Sequence, residues 1–405
     1  MSVLLLSAAL LLSAPVDSVA ATTGCQARPL VIAHRGASGY LPEHSLAAYQ
    51  KAIAQGADII ETDLVPSRDG VLIARHENEL STSTDVANRP EFAGRKTRKQ
   101  IDGIWQQGWF SEDFSLAELK TLRLKETLPA LRPGSAAFDG QFQIVTFAEL
   151  LQLLVRENAK RQMQTGLKPI DLYIETKHPT YFASAGRTLA GQPIGLDITR
   201  QLVDTLQQSQ AQLPDTVYIQ SFEVSNLLQL RYQLLPALPS ALQQKIKLIQ
   251  LLGDTQQQYL QPKDSFSEPY DLVYLPQATA AVPAALAQLA KALPGLTKPG
   301  FHYGQMLSTS GLPAVASYAD GIGPWRQNLY PRVGATMPLL QQAHAAGLQV
   351  HPYTFRQEQS YLLPDQSGQT VSMQAELEWL FRQGIDGVFA DFPDIALKAR
   401  TVACR

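Results

Sequence analysis

Residues 30–36 read Leu-Val-Ile-Ala-His-Arg-Gly: four aliphatic residues, then a histidine, an arginine and a turn glycine. An apolar run of this length bounded by a turn signal reads as a short buried strand. The same grammar recurs along the chain. Residues 58–64, 71–75, 171–176, 216–220, 246–252, 349–355 and 387–390 are β-branched or aliphatic runs that contain or meet polar residues. Helical patterns alternate with them. Ser45 caps an expected helix bearing Leu46, Tyr49, Ala52 and Ile53 on one face, with Gly56 past its end. Thr146 opens another bearing Phe147, Leu150, Leu151 and Leu154. Further helices are expected over 194–206, 225–235, 337–346 and 373–382. Strand–helix alternation sustained over the chain predicts an α/β fold, a TIM-like (β/α)8 barrel. Eight strands are clear, and a ninth, shorter candidate spans 319–322.

Two stretches break the rhythm. Residues 77–142 are rich in Thr, Arg, Trp and Asp and show no strand–helix unit. A connection that long is functional or carries its own small fold, so an inserted subdomain is expected after strand 3. Residues 254–323 hold an Ala/Leu-rich helical pattern at 278–293 and a Gly/Tyr segment at 300–311.

The bulk composition narrows the function. A formal charge of −2 over 405 residues, with no basic run, argues against a nucleic-acid partner. Residues 1–12 are nearly all apolar and small residues follow, as in a secretory signal peptide over 1–20 cleaved near Ala20, although no Lys or Arg precedes the apolar run. The competing reading is a disordered N-terminus of a cytosolic protein. No later run is long enough for a membrane span. Secretion predicts a periplasmic or extracellular protein. Cys25 and Cys404 bracket the mature chain, and a disulfide between them would join the two ends of a barrel. Lipidation at Cys25, or two free thiols, are the alternatives.

His34, Glu61, Asp63, His76 and Glu175 all fall at or near C-terminal ends of expected strands, where barrel enzymes collect their catalytic residues. Glu61 and Asp63 are two apart, as are Glu175 and Lys177, so each pair faces one way. Three buried carboxylates need neutralising. A hard cation with oxygen ligands, Ca²⁺ or Mg²⁺, does this; ordinary ion pairs with Arg35, Arg75 and Lys177 are the plainer alternative. Two histidines beside such a centre suit acid–base work on a phosphodiester, with Arg35 and Lys177 against the phosphate oxygens.

These residues resemble the glycerophosphodiester phosphodiesterase family. The resemblance rests on His34-Arg35-Gly36, Pro42-Glu43-His44-Ser45, Glu61-Thr62-Asp63 and His76. The strings at 173–177 (YIETK), 220–222 (QSF), 318–324 (YADGIGP), 351–356 (HPYTFR) and 386–393 (DGVFADFP) resemble the family's periplasmic, secreted bacterial branch. The likeness runs over roughly 29–395, so 29–400 is expected to be a single phosphodiesterase barrel domain. It implies hydrolysis of glycerophosphocholine, glycerophosphoethanolamine and similar small soluble diesters to sn-glycerol 3-phosphate and an alcohol. It implies His34 and His76 as the acid–base pair, Glu61, Asp63 and Glu175 as ligands of Ca²⁺, and Arg35 and Lys177 on phosphate. Residues 353–356 read Tyr-Thr-Phe-Arg where many members carry Trp-Thr-Val-Asn. Phe222, Tyr353, Trp325, Trp109 and Phe110 are the aromatic candidates for contact with glycerol or head group, against core packing. His44 sits beside the site ahead of a helix and His178 at its rim. His302 lies in a loop within reach of the pocket, while His344 and His351 read as structural.

Two other functions compete. One is a related barrel diesterase acting on phospholipid, phosphoinositide or a glycerol-phosphate polymer. The other is a binding protein that has kept the barrel without catalysis, since a fold does not establish an activity. Direct attack by water and a cyclic phosphate intermediate both fit these residues. Oligomeric state is not encoded in any of these motifs.

Overall fold

The computed structural model describes residue 25 and residues 27–164, 166–255 and 266–405. The expected signal peptide lies outside the described residues. The strands in chain order are β1 Leu30–Ala33, β2 Ile59–Pro66, β3 Leu72–Ala74, β4 Thr97–Ile101, β5 Ile104–Gly108, β6 Asp171–Thr176, β7 Val217–Ser221, β8 Ile246–Leu252, β9 Gly321–Pro324, β10 Gln349–Val350 and β11 Gly387–Ala390. Eight of them form a parallel barrel in the order β10-β9-β8-β7-β6-β2-β1-β11. The segment after β10 closes it: Phe355 N–H donates to Phe389 O at 2.8 Å and Asp391 N–H to Phe355 O at 3.1 Å.

The short strand β9 is the sixth stave in chain order and brings the count to eight. The third strand of the chain, β3, is no stave; it folds back antiparallel on the end of β2, pairing Leu64 with Ala74 and Pro66 with Leu72. The reason is length. Residues 67–71 form only a tight turn, and a parallel neighbour needs a crossover of a dozen residues or more. Residues 77–142 therefore leave from the top of β2's hairpin, between the second and third staves. They contain the β4–β5 hairpin and several single-turn helices.

The helices that brace the staves begin and end where their caps dictate. In α1, Leu46–Gln55, Ser45 accepts from Ala48 N–H, and Gly56 ends it at φ 96°, a left-handed value that favours glycine. The capping box of α2, Phe147–Gln162, is Thr146 with Glu149. Further on, α3 is Ile198–Gln208, started by Asp197; α4 is Met373–Arg382, started by Ser372; and α5 is Pro393–Ala403. The helical pattern at 278–293 is divided at Pro283 into Pro276–Ala281 and Pro283–Ala292, because a proline supplies no N–H to the preceding turn. Beyond α5, Cys404 is joined to Cys25 by a disulfide across 379 positions of sequence. Among the described residues no helix is long and apolar enough to cross a membrane.

The barrel interior has two levels set by the two-residue period of strands. Ile32, Ile59, Tyr173, Tyr218, Ile249 and Phe389 pack together as an apolar plug, with Tyr173 and Tyr218 stacked at 4.7 Å. Each such side chain contributes about 1.5–3 kcal/mol by leaving water. Two residues further along the same strands come His34, Glu61, Glu175, Gln220, Leu251 and Asp391. The plug is thus the floor, and the next layer of the same inward face is polar.

Candidate active site

That polar layer opens into a cavity of about 520 Å³ lined by His34, Arg35, Glu61, His76, Glu175 and Lys177. Register brings the carboxylates together. Asp63 on β2 is the direct partner of Glu175 on β6, and Glu61 lies two residues below Asp63. Oxygens of Glu61, Asp63 and Glu175 all lie within 4.8 Å of one another, and all three residues are buried. At that separation two like charges repel by about 3–4 kcal/mol at an effective dielectric of 20.

The cations present do not balance them. Lys177 Nζ is 2.7 Å from Glu175 and 3.7 Å from Asp63. Arg35 is shared: its Nη1 bonds Glu43 at 2.7 Å while its Nε stands 3.6 Å from Asp63. Glu61 accepts from Arg35 N–H at 2.7 Å and from Gln220 at 3.2 Å. Asp63 Oδ1 is buried with no hydrogen-bond donor. Burial pushes the Glu175 carboxyl up to about 8, and burial with the Asp63 charge pushes Glu61 well above its usual range. Burial opposes ionisation of Asp63 too, but Lys177 and His44 hold it well below. An orphaned carboxylate oxygen beside two carboxyls that resist ionising is what an all-oxygen site for a divalent cation presents without its ion. Arg75, the third expected ion-pair partner, points away to Ser83 and the carbonyl of Glu79.

The two histidines stand over this centre, each with Nδ1 on a carboxylate. His34 Nδ1 meets Asp391 at 2.6 Å and His76 Nδ1 meets Glu77 at 2.9 Å. In both, Nε2 is left for the cavity. Burial pulls each imidazole down to about 4, assisted by the charge of Arg35. Burial thus favours the neutral imidazole, and the carboxylate behind each one favours the imidazolium when it carries a second proton.

The model of the glycerophosphoryl diester phosphodiesterase family matches residues 34–395. The chain belongs to this family. It is similar to the glycerophosphodiester phosphodiesterase GDPD6 of Arabidopsis thaliana, with 30% identity over 90% of this chain and 84% of that one. It is similar also to the glycerophosphodiester phosphodiesterase of Treponema pallidum, with 29% identity over 94% of each chain. Among solved structures it resembles in fold an Oleispira antarctica phosphodiesterase in complex with the product sn-glycerol-3-phosphate, at TM-score 0.50 and 18% identity over 92% of this chain and 96% of that one. The protein is thus a phosphoric diester hydrolase of the glycerophosphodiester phosphodiesterase class.

Other residues of the phosphodiesterase site stand behind and around these groups. Asp391, which backs His34, also takes Arg132 Nη2 at 2.5 Å and Arg356 Nε at 3.0 Å. Asp391 carries a legible signal: it is two residues beyond Phe389 on β11 and shares its inward face. Arg132 has none, since it comes from the insertion, 259 positions away. His44 packs under the centre, with Nε2 on Asp63 at 2.9 Å and Nδ1 on the Tyr49 hydroxyl at 2.8 Å. Phe222, Tyr353 and Trp325 line the cavity, joined by Phe266; Phe222 meets Tyr353 edge-on at 6.1 Å. Trp109 and Phe110 belong instead to the core beneath the insertion, where Trp109 Nε1 donates to Phe92 O. His302 reaches Glu268 at 3.5 Å and does not line the cavity, His344 pairs with Asp386, and His351 is sealed in the barrel against Tyr173.

Proposed function

We propose that the enzyme hydrolyses small soluble glycerophosphodiesters, glycerophosphocholine and glycerophosphoethanolamine among them, to sn-glycerol 3-phosphate and an alcohol. The observation that carries this is the placement of two carboxylate-backed histidines over three converging carboxylates in one closed-bottomed cavity. Glu61, Asp63 and Glu175 hold Ca²⁺, with Mg²⁺ as the smaller competitor for the same oxygens. When bound, the cation compensates their charge and supplies positive potential to the phosphate oxygens. Arg35 and Lys177, beside the same carboxylates, serve as fixed donors to the phosphate oxygens. One histidine enters neutral and takes a proton from the nucleophile through Nε2; the other enters as the imidazolium, its charge balanced by its carboxylate and the phosphodiester anion, and gives its Nε2 proton to the departing alkoxide, with Asp391 behind His34 and Glu77 behind His76. Phe222 and Tyr353 present an apolar wall to the carbon skeleton of the diester. A cavity of this volume admits a soluble diester, and its closed apolar floor gives no channel for acyl chains.

Secretion into an oxidising compartment is part of this reading, and the Cys25–Cys404 disulfide supports it. The test is turnover of a head-group panel with product identified as sn-glycerol 3-phosphate, run with EDTA and with added Ca²⁺ or Mg²⁺. Binding of glycerophosphocholine without product release sinks the catalytic reading. Turnover of glycerophosphodiesters that is indifferent to EDTA sinks the metal assignment alone.

A further inference from the structure

Beyond its first residue, Glu77, the inserted segment reaches the catalytic cavity with one further carboxylate, that of Asp102. Asp102 and Gly103 form the two-residue turn of the β4–β5 hairpin, closed by the pairing of Ile101 with Ile104. Both have positive φ, 45° and 83°, as a turn compatible with strand twist requires. The hairpin is anchored at its base. Lys99, facing inward on β4, is buried and bonds Glu112 at 2.8 Å and Asp113 at 2.7 Å; Glu112 also takes the Tyr181 hydroxyl at 2.9 Å. Its tip lies so close to Tyr270 that a Cβ on Gly103 would stand 2.9 Å from that ring. The tip is therefore held from two sides, and Asp102 is delivered to the cavity wall in a fixed place.

There it begins a chain of four side chains, all lining the cavity. Asp102 Oδ2 meets His178 Nδ1 at 2.6 Å. His178 Nε2 has no hydrogen-bond partner and faces Glu77 Oε2 at 3.8 Å, an electrostatic contact, and Glu77 Oε1 pairs with His76 Nδ1 at 2.9 Å. His178 sits just past β6 at φ 48°, a conformation an L-residue adopts only when its surroundings impose it. Burial disfavours a charged His178, but Asp102 and Glu77 outweigh it and hold the imidazole well above its usual value. Burial likewise opposes ionising Glu77, and His178 and His76 overcome it. A cationic His178 keeps Glu77 an ionised acceptor, and an ionised Glu77 keeps the proton of His76 on Nδ1.

We propose that Asp102 is a positioning residue for catalysis: through His178 and Glu77 it orients His76 and fixes its tautomer, so the insertion completes the acid–base site. His34 needs no such relay, because Asp391 backs it directly. The inference rests on the reading of His76 as half of the acid–base pair. It gives the insertion a role in turnover separate from substrate contact.

The experiment is a double-mutant cycle on the full chain, with glycerophosphocholine as substrate. Asp102→Asn is expected to lower kcat about 10- to 100-fold, the usual cost of losing such a supporting partner. KM should stay within about twofold, since no ground-state contact is removed. Asp102→Glu should restore most of the loss. In a Glu77→Gln background, Asp102→Asn should cost less than about twofold more, because the link is already broken. Nitrogen-15 NMR of the histidines reads the tautomer without turnover: His76 should be the Nδ1–H form in the native enzyme and a mixture in Asp102→Asn. Losses that multiply across the cycle, a change confined to KM, or an unchanged His76 tautomer each overturn the relay. If Asp102→Asn fails to melt cooperatively, His178→Gln breaks the same link from the barrel side and is read identically. A native enzyme without turnover would instead refute the functional reading, leaving the tautomer measurement to judge the relay.

Discussion

Replacing Asp391 by Asn removes one charge from the most densely paired carboxylate of the site. Asp391 is 1% exposed, accepts from His34 at 2.6 Å and Arg132 at 2.5 Å, and forms an ion pair with Arg356 Nε at 3.0 Å. The amide keeps one acceptor oxygen, so the shape survives while the charge does not. A hydrogen bond to a charged group is worth about 1.5–3 kcal/mol more than none, and that is the support the His34 imidazolium loses. At 1.36 kcal/mol per factor of ten, kcat should fall about 10- to 150-fold. KM should change little, because Asp391 acts through His34. The two arginines are left beside a neutral group, and breaking a buried pair costs about 3–5 kcal/mol. Arg132 keeps Glu358 at 2.5 Å, and Arg356 is partly solvated, which places the stability loss near the lower end of that range, about 3 kcal/mol. The pH profile supplies a sign. Burial and Arg35 pull His34 down to about 4 while Asp391 opposes them, so its removal lowers the value further. The limb of the kcat profile that His34 sets should therefore move to lower pH. Release of sn-glycerol 3-phosphate followed from about pH 2.5 to 8, with urea unfolding of the same samples, measures all three effects. A folded Asp391→Asn enzyme with kcat within twofold of native would refute the role assigned to this pair.

The carboxylate centre predicts that Ca²⁺ stabilises the fold, by about 2.7 kcal/mol at 100 times its Kd. Glu175→Gln should remove the calcium-dependent rise in melting temperature together with activity, and equal melting in EDTA and Ca²⁺ would count against the site. Reducing Cys25–Cys404, or replacing Cys404 by Ser, frees the two ends of a loop of 379 positions and should lower stability by up to about 5 kcal/mol in thermal or urea unfolding. An unchanged melting curve after reduction would show that the ends are held by packing alone. The Arg95 hydrogen bond holds Glu118 down to about 2 from an ordinary 4.5. A depressed folded value contributes stability that is complete above pH 4.5 and is lost as pH falls through 2. The pair is partly solvated, so its worth is about 0.5–1 kcal/mol. Glu118→Gln keeps the N-cap bond to Ser115 and should be less stable than native at pH 6 but equal to it near pH 2 by urea titration.

Most of the barrel's staves were legible because each carries its own local signal, a run of aliphatic residues ended by a turn. The helix starts at Ser45 and Thr146 were legible for the same reason: a cap and the first turn it serves are neighbours in sequence. The strands that misled are those whose role depends on a neighbour. Residues 71–75 and 321–324 are equally short apolar runs, yet one folds back as β3 and the other is the stave β9. What separates them is the connection from the strand before, residues 67–71 ahead of β3 and residues 253–320 ahead of β9. The β4–β5 hairpin did carry a local mark, the Asp102-Gly103 turn, between strands too polar to stand out from the insertion around them.

Sequence by itself determined the chemistry on each strand. The two-residue period commits Ile59, Glu61 and Asp63 to one face, and Tyr173, Glu175 and Lys177 to another, whatever the strands later pair with. It thereby set which carboxylates, histidines and cations could meet. Tertiary structure alone decided what stands behind them. Asp391 reaches His34 across 357 positions and Arg132 reaches Asp391 across 259. Asp102 reaches His178 across 76. Strand periodicity acts between adjacent residues and survives any rearrangement of the fold. A hydrogen bond between segments this far apart exists only once the barrel has closed and the insertion has docked over its mouth.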